Sequence, residues 1–174
     1  MDKVFENFES PDMNNRDKLM IEVFYSTGIR RDELINIKLV DILFESKVIK
    51  VIGKRNKQRM IPMLPNLSSN IMDYINNSNP KIYLFESIKS KKLSKSTIYR
   101  IINKYFRSVS SKVKISPHVL RHTFVTHMLN SGADINTIKE ILGHSSLSST
   151  QIYTKIKLPK IVSDYNKSHP REID

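Results

Sequence analysis

At 174 residues the chain is long enough to bury one well-packed core and short enough to need no second one. Its 39% apolar content contains no run near the roughly 18 residues a membrane span requires, and the absence of cysteine excludes disulfides and thiolate chemistry. Its 29 Lys plus Arg oppose 17 Asp plus Glu, a formal +12, so a polyanionic partner is expected, nucleic acid ahead of a merely solvated basic surface.

The opening "MDKVFENFESPDMNN" is acidic and polar, unlike a secretory leader, and residues 1–14 are expected to be a linker or extension. Together with the missing cysteines this fits a cytoplasmic setting with no membrane partner. "NRDKLMIEVFYSTG" spaces Leu19, Met20, Val23 and Phe24 as a helix does, and Gly28 supplies the stop. "IRRDELINIKL" is a second short helical pattern with Arg30 at its start. "KVIKVIG" and "QRMIPM" read as two strands around a "KRNK" turn, a β-hairpin with a basic tip.

Helical spacing returns in "LSSNIMDYINN" and in "STIYRIINKYFRSV". The latter is expected to bury Ile98, Ile101, Ile102 and Phe106 while showing Arg100, Lys104 and Arg107. From Lys81 to Lys114 ten Lys or Arg oppose the single Glu86, which makes this the most cationic part of the chain. "SPHVLRHTFVTHMLNSG" begins with Ser116 as N-cap and Pro117 in the first helical position and ends at Gly132. Asp134 caps "INTIKEILG", which Gly143 closes, and "LPKIVSDYNKSH" forms a last helix from about residue 159. The expected architecture is α+β, mainly helical, with one small antiparallel sheet.

The helix from Pro117 gathers His118, Arg121, His122 and His127, in a chain with five histidines. His118 and His122 have the i, i+4 spacing of a zinc pair. Val119, however, stands where a metalloprotease needs glutamate, and no second ligand pair is close in sequence, so no metal is expected. His122 and His127 are expected to pack. His118 and Arg121, at i and i+3, project from one face near a helix N-terminus, a corner suited to a phosphate.

Taken together, "TGIRRDEL", "VIGKRNKQR", "HVLRH", "LGHSS" and "STQIYT" resemble the tyrosine recombinase, or phage integrase, family, most closely its Xer-type members, from about Asn15 to Pro170. The resemblance implies a catalytic domain over residues 15–174. It matches Arg30 to the first catalytic arginine, Lys54 to the hairpin lysine, His118 and Arg121 to the HxxR pair, His144 to the second histidine and Tyr153 to the nucleophile. Glu33 corresponds to the acidic residue that steadies the first arginine. Each has a plainer reading beside it: Tyr153 as a packed tyrosine, His144 as a helix-end cap, Lys54 as a contact to the DNA backbone. That last role is also expected of Arg55, Lys57, Arg59, Lys95 and Arg100.

The implied chemistry suits these residue types. Charge grows on the nonbridging oxygens of a phosphodiester under attack, and two guanidiniums with pKa above ~12 can clamp it. Tyrosine, with an ordinary pKa of ~10, needs an acceptor for its proton, the role of His118, while Lys54 protonates the departing 5′ oxygen. His144 donates to a nonbridging oxygen. The product is a 3′-phosphotyrosyl link and a free 5′-hydroxyl, formed without cofactor or metal, and strand exchange follows when a new 5′ end reverses the step. A type IB topoisomerase-like activity and a non-cleaving DNA-binding module are the competing readings.

Family members usually carry a further helical domain ahead of this one. The chain is therefore expected to be a catalytic domain cut at the interdomain linker or a naturally short relative. Free protein is expected to be monomeric, and four protomers to assemble on double-stranded DNA. Two places remain open for the last helix, with Leu158, Ile161, Val162 and Tyr165 on one face: the neighbouring recombinase protomer, or its own domain.

Overall fold

The structure, a computed structural model, describes residues 14–53, 56–87, 89, 91–106, 116–143 and 157–169. Helix α1 (Asn15–Thr27) runs through the middle of the core, with every residue from Leu19 to Thr27 buried. Asn14 caps it, its Oδ1 accepting from the Asp17 N–H at 2.9 Å. Glu22, buried midway along it, accepts from Asn70 at 3.0 and 3.1 Å, which satisfies a carboxylate that would be costly to bury alone.

Gly28 ends α1 with φ 58°, a left-handed conformation that favours glycine. A Cβ there would also collide with the Phe124 ring at Cδ1. Gly28→Ala therefore meets both backbone strain and a clash, and costs more than ~1 kcal/mol. The tight turn hands the chain to α2 (Arg31–Leu34), one helical turn with Arg30 in extended conformation at its N-cap.

Strands β1 (Ile42–Leu43), β2 (Val48–Ile52) and β3 (Gln58–Pro62) form an antiparallel sheet in that order. Ile49 pairs with Ile61 and Val51 with Arg59, and all four side chains are buried on the core side. The hairpin expected from "KVIKVIG" and "QRMIPM" is therefore present, with β1 as an added edge too short to show a period in sequence.

Helix α3 (Pro65–Ser78) packs on α1, and α4 (Lys95–Phe106) buries Ile98, Ile101, Ile102, Tyr105 and Phe106 while Arg100 and Lys104 face outward. Helix α5 (Pro117–Asn130) lies against α1 through Leu120, Phe124 and Met128, an i, i+4, i+8 stripe. Ser116 and Asp134 cap α5 and α6 (Ile135–Leu142), and Gly143 closes α6 at φ 66°. Helix α7 (Lys157–Ser168) docks on its own domain, against α6 and β3. Ile161 and Tyr165 are buried there, and Tyr165 Oη donates to the Ser26 carbonyl at 2.5 Å. Of the two places open to this helix in the sequence, the chain's own domain is the one occupied. No helix among the described residues is long and apolar enough to cross a membrane.

Candidate active site

Arg30 and Glu33, one helical turn apart, converge with the sequence-distant Arg121 where the end of α1, the start of α2, strand β3, the second turn of α5 and the end of α6 meet. Glu33 is its hub. Its Oε1 accepts from Arg30 Nη1 at 3.0 Å and its Oε2 from the Arg30 backbone N–H at 2.8 Å. The same two oxygens accept a fork from Arg59, Nη1 to Oε1 at 2.5 Å and Nη2 to Oε2 at 2.8 Å. Burial alone would push the Glu33 carboxyl up. The Arg59 fork and charge, with the Arg30 donors, outweigh it and hold the group below its ordinary value.

Arg121 reaches across from α5. Its Nη1 donates to the Gly28 carbonyl and its Nη2 to the Leu142 carbonyl at 2.9 Å. Arg59 Nε donates to the neighbouring Ile141 carbonyl at 2.8 Å. The last carbonyls of a helix have no partner within it, so the two arginines satisfy two such groups at the end of α6. The fit is close, since a Cβ at Gly143 would stand 2.8 Å from Arg59 Cδ.

Two guanidiniums thus share one carboxylate, and a third, that of Arg121, stands beside them bonded to carbonyls. Burial, followed by the Arg30 and Arg59 charges, lowers the Arg121 pKa to about 10, with Glu33 opposing the shift. Arg121 is still cationic at neutral pH, but the corner is short of negative charge, and an anion would relieve it. Arg30 is partly open, with 39% of its side chain exposed. His118, on the first turn of α5, is exposed.

The expectation that Arg59 contacts DNA is corrected by this geometry. It is 5% exposed, and its guanidinium points inward to Glu33 and Ile141. Strand alternation puts it on the same face as Ile61, a signal present in "QRMIPM" but masked by the basic neighbours. Lys57 and Arg100 are exposed, whereas Lys95 is exposed but paired with Asp32 at 2.8 Å. That pairing, through the Lys95 hydrogen bond first, lowers the Asp32 pKa.

His127 packs as expected, its Nδ1 2.7 Å from Tyr25 Oη. His122 does not pack; it is exposed, because it faces away from the Leu120, Phe124 and Met128 stripe. Among the described residues no group of three or more His, Asp or Glu could hold a metal ion. Lys54, Arg55, His144 and Tyr153 lie outside the described residues. Gly53, next to Lys54, borders the cluster: a Cβ on it would be 3.2 Å from Glu33 Oε1.

Comparison with known proteins places the chain in a family. The sequence profile described as "Phage integrase family" matches residues 1–158. The chain belongs to the phage integrase family. It is 36% identical over 185 residues to tyrosine recombinase XerC of Pelotomaculum thermopropionicum, an alignment covering 98% of this chain and 60% of that protein. The chain thus spans about three-fifths of that curated relative's length. The crystal structure of XerA recombinase superposes with a TM-score of 0.75 at 31% identity, over 94% of this chain and 63% of that one. The fold is also shared with the XerH site-specific recombinase bound to difH substrate, with a TM-score of 0.74, 24% identity and coverage of 93% and 50%.

Proposed function

We propose that this phage integrase family domain is the catalytic part of a site-specific DNA recombinase acting through a covalent tyrosyl intermediate. The observation that carries the reading is the cationic corner, in which Glu33 holds Arg30 and the Gly28 and Leu142 carbonyls hold Arg121 beside it. A phosphodiester brings the missing negative charge, and that charge grows on its nonbridging oxygens during attack. Two preorganised guanidiniums therefore bind the transition state more strongly than the ground state.

In this mechanism Tyr153 Oη attacks phosphorus, its proton passing to His118, while the bond to O5′ breaks and Lys54 supplies the proton O5′ needs. A 3′-phosphotyrosyl bond replaces the DNA phosphodiester and a 5′-hydroxyl is released. The exchange conserves bond type, so attack by a 5′-hydroxyl from a second duplex rejoins DNA without an added energy source. His144 donates to a nonbridging oxygen. In this reading double-stranded DNA is the substrate, and Lys57 and Arg100, both exposed, contact its backbone. A tetramer on DNA, a monomer when free and a cytoplasmic setting complete the proposal. The relatives named recombinases, one of them bound to its difH substrate, support it.

The deciding experiment uses a nicked duplex that loses its 5′-hydroxyl end after cleavage and so traps the intermediate. Wild-type protein in EDTA should give a slow-migrating covalent complex, and Tyr153→Phe should give none while still binding the duplex. No complex from the wild type, or a persistent complex from the variant, refutes the assignment.

A further inference from the structure

We propose that Arg59, through Glu33, is a positioning residue for the cleavage step: it fixes the guanidinium of Arg30 and also anchors the end of α6 beside Arg121. The assignment rests on the recombinase reading above. Arg59 makes three directed hydrogen bonds, two to Glu33 and one to Ile141, to elements 26 and 82 residues away in sequence.

The geometry gives those bonds a consequence beyond packing. Both Glu33 oxygens are bonded to Arg59 and to Arg30 at once. The carboxylate plane is set by the Arg59 fork, and the Arg30 side chain and backbone N–H are aligned to that plane. Without Arg59, the buried carboxylate keeps only the half-exposed Arg30 as a cationic partner and is free to turn toward it. Arg30 then follows Glu33 rather than waiting for a phosphate. At the other end, the Ile141 carbonyl loses its donor one residue from the Leu142 carbonyl that holds Arg121. One side chain therefore keeps two guanidiniums in register although its own donors all face inward. A buried ion pair is weak evidence for stability by itself, so a purely structural role has to be separated by experiment.

Lysine is not equivalent here, because a single ammonium cannot reproduce the fork and the Nε bond together. Arg59→Lys and Arg59→Met are therefore both informative. Each is assayed for single-turnover strand cleavage at saturating protein on two nicked duplexes, one with an ordinary scissile phosphodiester and one with a methylphosphonate there. Replacing a nonbridging oxygen by methyl removes the phosphate's charge, so the methylphosphonate makes little demand on the guanidinium clamp. On the phosphodiester both variants should be slower by roughly 10- to 100-fold with DNA affinity unchanged, the scale of a misplaced reacting group. On the methylphosphonate the gap from wild type should nearly close, and Glu33→Gln added to Arg59→Met should slow phosphodiester cleavage little further.

Equal slowing on both substrates, or wild-type rates from both variants, overturns the assignment. If Arg59→Met fails to fold, Arg59→Lys decides. If neither folds, Arg59 serves the fold and the assignment is overturned. A wild-type protein that cleaves neither duplex refutes the recombinase reading and this assignment with it, a result distinct from failure of the variants alone.

Discussion

Ile161→Asp tests whether α7 holds to its own domain in solution. Ile161 and Tyr165 are buried against the body, and His169 beyond them lies 6.1 Å from the Phe124 ring and 6.0 Å from the Tyr25 ring, centroid to centroid. Burying a large apolar side chain contributes ~1.5 to 3 kcal/mol. A carboxylate at position 161 forfeits that and must either be desolvated or pull the helix away. Undocking uncovers Tyr165 as well, and the ordering of the helix is regained as entropy, which caps the loss. A net destabilisation of about 2–4 kcal/mol follows, or a fall in Tm of roughly 4–16 °C at about 2–4 °C per kcal/mol for a domain of this size. Thermal unfolding by circular dichroism, with sedimentation at the same concentration, reads both stability and association. Ser163→Asp, on the exposed side of α7, is the control and should leave Tm unchanged. A monomeric Ile161→Asp with wild-type Tm would show that α7 is not docked in cis in solution, and the energetic reasoning would fail with it.

Two further outcomes follow from the site. Lys54→Ala should cleave a duplex with a 5′-bridging sulfur nearly as fast as wild type, since a thiolate leaves with little help from an acid. Equal impairment on the oxygen and sulfur substrates would make Lys54 a contact residue. For Glu33, the folded pKa lies below the ordinary value of 4.5, so its contribution to stability is present above that pH and is lost as pH falls through the folded pKa. Urea denaturation between pH 7 and pH 3 should show less acid sensitivity in Glu33→Gln than in wild type, and identical slopes would contradict the shift.

The helices were legible wherever a cap and an apolar stripe coincided. Asn15 to Gly28 and Asp134 to Gly143 have both, and both end at left-handed glycines in the structure. Strand β1 has only two residues, too few to show alternation, and its pairing with β2 comes from tertiary placement. The convergence of Arg30, Glu33 and Arg121 was legible from the family's motifs rather than from any local pattern. Arg59 was misread because composition outweighed periodicity: "KRNKQR" reads as a cationic tip, yet alternation places its last arginine inside. His122 was misread for the related reason that the buried stripe of α5, Leu120, Phe124 and Met128, leaves position 122 on the opposite side. The docking of α7 could not be read, because an apolar face has the same sequence whether its partner is its own domain or another copy.

The corner also explains how a half-buried arginine can be held in place without a full counterion of its own. Arg121 donates to carbonyls at the ends of two helices, Gly28 after α1 and Leu142 closing α6. Helix C-termini carry partial negative charge, so these contacts partly offset the repulsion from Arg30 and Arg59 that helps depress the Arg121 pKa. Partial charges of this kind fix direction without neutralising the guanidinium, whereas in the proposed reaction a salt bridge made by Arg121 itself would have to be broken for a phosphate to bind. Glu33 satisfies Arg59, which stays inside, and shares only what remains with Arg30. The glycines at both helix ends follow from the same requirement, because their left-handed turns end α1 and α6 close enough for one guanidinium to span both. The conformation of two turns and the charge of one corner are thus a single constraint, and it accounts for the direction in which the Arg121 guanidinium is held.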